Sequence, residues 1–267
     1  MRAEPLSERN VEVVADAGGD LEFTGERIVP GKTEEALFRE HEERYVFARQ
    51  YVVGKDVLDV ACGTGVGTSF LRRAGARTAW GLDIDQQAIT FAEAMYPECE
   101  FAHCEATDLC FAADSVDVVI SFETLEHLRD QQKFLMECRR VLRPNGLMIC
   151  STPNREVFRW QRPNPYHVRE LTPQEFIGLF GKHFGKLNLF AQAERIYPLY
   201  VLRRLALYAV ESLKLKSSIK AVLRRRAAPG EMREQFFAGN LAPRIRPYRS
   251  TFFLEATYLI AVGRKTA

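Results

Sequence analysis

The stretch VLDVACGTGVG, Val57 to Gly67, followed by TAWGLDID, Thr78 to Asp85, constrains this chain more than any other. Each contains a short apolar run of strand type, and the first leads through a glycine-rich turn into a helical segment. Two strands joined by such a helix lie parallel, because only a crossover of that length returns the chain to the same end of a sheet. Gly63, Gly65 and Gly67 let backbone approach a ligand with no Cβ in the way. Asp83 stands twenty residues after Gly63, at the end of the second strand, where a carboxylate can accept both hydroxyls of a ribose. Asp59, inside the first strand, can fix the loop or meet a charged amine.

The alternation continues. QQAITFAEAMYP reads as a helix stopped near Pro97, CEFAH as a strand, DVVISF as a buried strand and DQQKFLMECRRVLRPNG as a helix ended by proline and glycine. LMICST is the next strand, and LTPQEFIGLFGKHF opens with the helix-start set Thr172, Pro173 and Glu175. TFFLEATYLIAVGRK gives one or two strand-like runs near the end. The expected fold is α/β: a Rossmann-like, seven-stranded, mostly parallel sheet with helices on both faces and a helical insertion before the last strand. The expected divisions are a loose tail (1–22), a cap segment (23–54), the core (55–192), a basic helical insertion (193–250) and the final strand (251–267).

Composition supports a core of that size: 46% of the 267 residues are hydrophobic and 27% are charged. The net charge of +2 hides an asymmetry, because thirteen Lys or Arg stand against three Glu between Arg195 and Arg249. The six cysteines (Cys62, Cys99, Cys104, Cys110, Cys138 and Cys150) form no C-x-x-C pair, which disfavours a thiolate zinc site. The N-terminal residues lack a signal-peptide core, and no run reaches the roughly 18 apolar residues of a spanning helix. A cytoplasmic protein with reduced thiols is the expectation.

Strand, loop, helix, strand and acid in this order resemble the class I S-adenosylmethionine methyltransferases, and the resemblance runs from about Lys55 to Asn154. It implies that CEATDLCF places Glu105 and Ala106 near the adenine, with Phe111 at a position often aromatic; the family usually has Asp where Glu105 stands. DVVISFETLEHL resembles the segment bordering the methionine and the acceptor, which makes Ser121 a further cofactor contact, and VLRPNGLMICSTPN the helix and strand that follow. A nicotinamide-dependent oxidoreductase is the rival use of such a sheet. It prefers G-x-G-x-x-G opening the helix, and the spacing here is G-x-G-x-G.

Glu123, Glu126 and His127 form an E-x-x-E-H set at a strand end, where residues three and four apart share a face. Two carboxylates and an imidazole suit Mg²⁺ or Mn²⁺. The spacing is similar to that of ubiquinone-biosynthesis O-methyltransferases and of small-RNA 3′-end methyltransferases, and the resemblance implies a divalent metal with His167 completing its site. Without a metal, His127 or His167 can act as general base, and a structural role for the set is the third reading.

The segments FTGERIVP and EHEERYVFARQYV resemble the front of methyltransferases from bacterial polysaccharide and glycolipid clusters. That resemblance implies that Glu26, Arg27, Arg44 and Tyr45 cover the cofactor or contact the acceptor. Residues 199–226 carry eight Lys or Arg from Arg203 to Arg226 with one acid, Glu211, amid apolar residues at helical spacing. They suit either a peripheral contact with anionic lipid or a lipid-linked substrate, or a lid or homodimer helix; nucleic acid is disfavoured for want of a stacking module. The expected activity is O-methylation of a sugar, glycan or other small hydroxylated acceptor. N-methylation, RNA-end methylation and a silent cofactor-binding protein stand as alternatives. If residues 199–226 face lipid, the protein will sediment with anionic vesicles at low salt and dissociate as salt screens the contact. Equal indifference to neutral and anionic vesicles leaves the lid or dimer reading.

Overall fold

A computed structural model of the chain describes residues 28, 29, 33, 35–158, 164–193, 244–248 and 257–266. Residues 199–226, on which the lipid, lid and dimer readings fall, lie outside these, as do Glu26 and Arg27.

The chain opens with α1 (Glu35–Ala48) and a 3₁₀ turn (Arg49–Tyr51). Then β1 (Asp56–Val60), α2 (Val66–Arg73), β2 (Thr78–Asp83), α3 (Gln86–Met95) and β3 (Glu100–His103) follow in the expected alternation. β4 (Val116–Ser121) leads through a second 3₁₀ turn (Leu125–His127) into α4 (Gln131–Val141) and β5 (Leu142–Pro153). After the short α5 (Arg155–Phe158) come α6 (Pro173–Gly181), β6 (Gly185–Ala193), β7 (Arg244–Pro247) and β8 (Tyr258–Arg264).

The strands form one sheet in the order β3-β2-β1-β4-β5-β8-β6-β7. The first five run parallel, while β8 is antiparallel to both β5 and β6, and β7 is antiparallel to β6. Among the described residues the sheet thus has eight strands where seven were expected. The extra edge strand, Arg244–Pro247, falls within the stretch read from its charge as helical insertion. Its four residues are too few and too basic to show a strand period, and pairing with β6 supplies the order. A second difference lies at LRPNG, read as a helix end, where β5 has already begun at Leu142.

Alternation along the strands sorts the core into two layers. Val57, Val118, Ile120, Ile149, Ile260 and Val262 pack with Phe70 and Leu71 of α2 and Ala48 of α1. Leu58, Val119, Met148, Cys150 and Ala261 face the other way, onto Phe134, Leu135 and Cys138 of α4 and Phe176 and Phe180 of α6. α6 starts as its sequence foretold, with Thr172 and Glu175 closing a reciprocal capping box and Pro173 in the first turn. Strand order reverses between β1 and β4, and the crevice beyond their C-terminal ends is where ligands of open α/β sheets bind. Among the described residues no helix is long and apolar enough to cross a membrane.

Helix α1 reaches this crevice by packing on α2 at Gly67, where an added Cβ would run into the Tyr45 ring. Gly67→Ala should therefore lower stability by about 1–3 kcal/mol, the usual cost of overpacking. In a Tyr45→Ala background the cost should fall below about 1 kcal/mol, since neighbouring sites couple. Urea unfolding of the four proteins checks this, and an equal cost in both backgrounds would reject the contact.

Candidate active site

A cavity of about 580 Å³ opens at the strand reversal. The loop after β1 supplies Ala61, Cys62, Gly63 and Thr64, and the end of β2 supplies Asp83, Ile84 and Asp85. The loop after β3 adds Cys104, Glu105 and Ala106, and the turn after β4 adds Phe122, Glu123, Thr124, His127 and Leu128. α1 closes one side with Phe38, His41, Glu42 and Tyr45.

Asp83 organises the first half. One carboxylate oxygen accepts the Gly63 N–H at 2.8 Å and the other the Asp85 N–H at 2.9 Å. Each oxygen has a second lone pair beyond the amide it accepts, and Asp83 lines the cavity, as hydroxyl recognition requires. Gly63, with φ of 56°, takes the left-handed turn that aims its amide at Asp83.

Four of the expected cofactor residues line the cavity: Gly63, Asp83, Glu105 and Ala106. Three do not. Gly65 is left-handed, with φ of 78°, and an added Cβ would come within 2.7 Å of Ala92 and 2.8 Å of Phe101, so its bareness serves packing between α2 and its neighbours. Ser121 is fully buried and donates to the Val60 carbonyl at 3.0 Å, clamping β4 to β1. Asp59 shares the α2 face of β1 with Val57; it is fully buried and accepts from Thr68 Oγ1 at 2.7 Å and Tyr45 Oη at 3.3 Å. Burial pushes Asp59 up to about 7, against the pull of those two hydroxyls. It fixes the loop and the helix, the first of the two roles its position allowed.

The second half gathers the E-x-x-E-H set. His127 Nε2 lies 3.9 Å from Glu126 Oε1, and the His127 and His167 ring centroids are 4.9 Å apart. One ligand atom from each of Glu126, His127 and His167 lies within 4.8 Å of the others. His167 arrives from the loop before α6 because the Glu126 carbonyl accepts both the Val168 and Arg169 amides, at 2.8 and 3.0 Å. Gln131 ties the same loop down, donating to the Leu125 and Arg169 carbonyls.

Both imidazoles are oriented through Nδ1. That of His127 lies 3.1 Å from the Tyr166 carbonyl, and that of His167 lies 2.7 Å from Glu170 Oε1. Those oxygens only accept, so in each neutral ring the proton sits on Nδ1 and Nε2 carries the lone pair. Glu126 is 1% exposed; Oε2 accepts from Thr152 at 3.1 Å, while Oε1 has no hydrogen-bond partner. Burial, and then the charge of Glu123, pushes the Glu126 carboxyl well above the usual range.

Glu123 stands apart from that trio. It holds a left-handed backbone, φ 53°, that a non-glycine residue keeps only when its surroundings enforce it. Ser151 does so, accepting the Glu123 N–H at 3.1 Å and donating to its carboxylate at 2.6 Å. The wholly buried Arg44 comes within 3.9 Å of the same carboxylate. Arg44 also donates to Gln192 at 2.7 Å and stacks over Tyr258 at 4.1 Å. Burial alone would ease its proton off, but Glu123, Tyr258, Glu40 and Glu126 outweigh that and raise its pKa.

The sequence reading missed Phe38, His41 and Glu42. Their spacing with Tyr45 was the available signal, since residues at i, i+3, i+4 and i+7 share one helix face. It also missed Ile84, an apolar side chain left 62% exposed at the cavity beside Asp83.

Residues 58–150 match the family described as "Methyltransferase domain". A protein of Mycolicibacterium smegmatis named "Probable S-adenosylmethionine-dependent methyltransferase" is 42% identical over 163 residues, 60% of this chain and 63% of that one. A ubiquinone biosynthesis O-methyltransferase of Cereibacter sphaeroides is 35% identical over 148 residues, 48% of this chain and 59% of its own length. The chain thus spans less than two thirds of these relatives. The fold is that of a SAM-dependent methyltransferase of Thermotoga maritima (TM-score 0.58, 14% identity, covering 85% of this chain and 90% of that one). A SAM-dependent methyltransferase of Archaeoglobus fulgidus shares it too (TM-score 0.55, 16% identity, covering 88% and 96%).

Calorimetry with S-adenosylhomocysteine should show binding that Asp83→Ala weakens by about 1.5–3 kcal/mol, the range for hydrogen bonds to a charged group. Wild-type protein that does not bind the nucleoside would reject the assignment of this cavity.

Proposed function

We propose that this chain, whose residues 58–150 form a methyltransferase domain on the class I fold, transfers a methyl group from S-adenosylmethionine to a hydroxyl of a sugar, glycan or other small hydroxylated acceptor. The residues present fit the cofactor: Asp83 offers two carboxylate oxygens at the cavity wall, Ile84 an apolar face beside them, and Gly63 a bare backbone. S-adenosylmethionine, when bound, supplies a sulfonium-activated methyl group. The protein's task is then to align the acceptor and raise its nucleophilicity.

The observation that carries the oxygen reading is the Glu126–His127–His167 trio beside the cavity. Its residues fit a divalent cation such as Mg²⁺ or Mn²⁺: one buried carboxylate oxygen that accepts no hydrogen bond, and two imidazoles whose rings are fixed through Nδ1. A cation there supplies Lewis acidity that lowers the pKa of an acceptor hydroxyl. Glu126, His127 and His167 would hold it. Glu123, the fourth member of the expected set, points at the cavity from its Ser151 and Arg44 supports and would orient the acceptor. The ubiquinone biosynthesis relative supports oxygen as the acceptor atom through its printed name. A second reading rests on His127 alone, which lines the cavity and presents Nε2 as a general base.

Transfer of label from S-adenosylmethionine into fractionated cell extract tests both. Under the cation reading, chelator abolishes transfer, leaves nucleoside binding nearly intact, and Glu126→Gln lowers Mn²⁺ affinity about tenfold or more. Full transfer in chelator rejects the cation and leaves His127 as base. A labelled product methylated on nitrogen rejects the oxygen assignment, and no transfer at all rejects the enzyme reading.

A further inference from the structure

Cys104 and Cys110 bracket the loop that brings Glu105 and Ala106 to the cavity. Cys104 is 7% exposed and lines the cavity itself, whereas Cys110 is exposed. The Cys110 N–H donates to Cys104 Sγ across 2.9 Å, and that thiol in turn lies 3.7 Å from the Asp108 carbonyl and 3.9 Å from the Glu105 carbonyl.

The frame around the pair is fixed at both ends. The Cys104 N–H donates to the Asp83 carbonyl at 2.9 Å, and the Leu109 N–H to Glu137 at 2.9 Å. Between them the loop folds on itself, with the Asp108 N–H on the Glu105 carbonyl at 3.0 Å and the Thr107 N–H on the Glu105 carboxylate at 3.2 Å. The Cys110 amide on the Cys104 sulfur sets the two residues against each other across a short closed loop, so a bridge between them asks for adjustment within that loop and not for movement of a strand.

We propose that Cys104 and Cys110 form a dithiol modification site, closed to a disulfide by small-molecule disulfides, and that closure weakens nucleoside binding in the adjoining cavity. The second part rests on reading that cavity as the cofactor site. Bonding draws the Cys104 sulfur out of the cavity wall toward Cys110, and Glu105 and Ala106 shift with the loop between them.

The chemistry assigns each thiol a step. Cys110, exposed, attacks the reagent as a thiolate; the reagent's S–S bond breaks and one thiolate leaves. Burial, and then the Cys110 thiol, pushes Cys104 up to about 11, so it is a poor first nucleophile and acts second. Its sulfur attacks the mixed disulfide, its proton passes to the departing thiolate, and the second reagent thiol is released. Two electrons go from the cysteine pair to the reagent, which ends as two thiols.

The test uses the full chain and oxidised glutathione, followed by peptide mapping and calorimetry with S-adenosylhomocysteine. The expected result is a Cys104–Cys110 bridge lacking two hydrogens, an affinity about tenfold lower, as for the loss of about one contact, and recovery with dithiothreitol. Cys110→Ser should keep full affinity through the same treatment. A glutathione adduct that stays on Cys110, or a bridge from Cys104 to another cysteine, overturns the site. A bridge with unchanged affinity overturns the coupling. A bridge in a chain whose reduced form never binds the nucleoside overturns the cofactor reading while leaving the dithiol in place.

Discussion

The site depends on one carboxylate. Asp83 closes β2 by accepting the amide of Gly63 from the loop after β1, so two parallel strands are tied at the point where their backbones would otherwise part. Its second oxygen takes the Asp85 amide, and Asp85 in turn caps α3 at Gln87. A strand end, a glycine turn and a helix start are thereby fixed by a short run of charge-assisted bonds. The loop is shaped before any ligand arrives, which reduces the ordering cost a ligand must meet.

The other side of the cavity is held by burial of a charge. Arg44 sits in α1, more than a hundred residues from Gln192 and Tyr258, yet its guanidinium is wholly enclosed between them. Nη1 and Nη2 have no hydrogen-bond partner. Glu123, Glu40 and Glu126 compensate the charge through space instead. An arrangement of that kind adds little net stability, but a misplaced α1 would leave the cation and the carboxylates uncompensated in an apolar layer. Together with the Tyr45 ring seated on Gly67, it gives α1 one admissible position, and that position puts Phe38 and His41 at the cavity.

What could be read from the sequence follows from how local each feature is. The Val57–Gly67 turn, Asp83 and the Thr172 capping box are set within a few residues, and each lies where the pattern put it. At Gly65 and Ser121 residue type and spacing show that a small residue is needed, not which neighbour needs it; the neighbours, Ala92 with Phe101 and the Val60 carbonyl, come from other elements. The edge strand at Arg244–Pro247 carries no period of its own. Arg44 was singled out as a cofactor cover or acceptor contact, yet its role is to balance charge behind Glu123, which no single-chain pattern displays.

The matched methyltransferase segment ends at residue 150, and that boundary divides the chemistry. Inside it lie the glycine turn, Asp83, Glu105, Glu126 and His127, which shape the crevice and begin the trio. Outside it lie α1 and the His167 loop, which close the cavity and complete the trio. The first group is built by adjacent strands and their connecting loops, so it tolerates little variation without loss of the crevice. The second is attached largely through side chains: Tyr45 on Gly67 and Asp59, Arg44 behind Glu123 and against Gln192, Thr64 on the Ile28 carbonyl at 2.8 Å, and Gln131 with the Glu126 carbonyl on the His167 loop. The flanking segments thus complete from outside a crevice that the matched core begins.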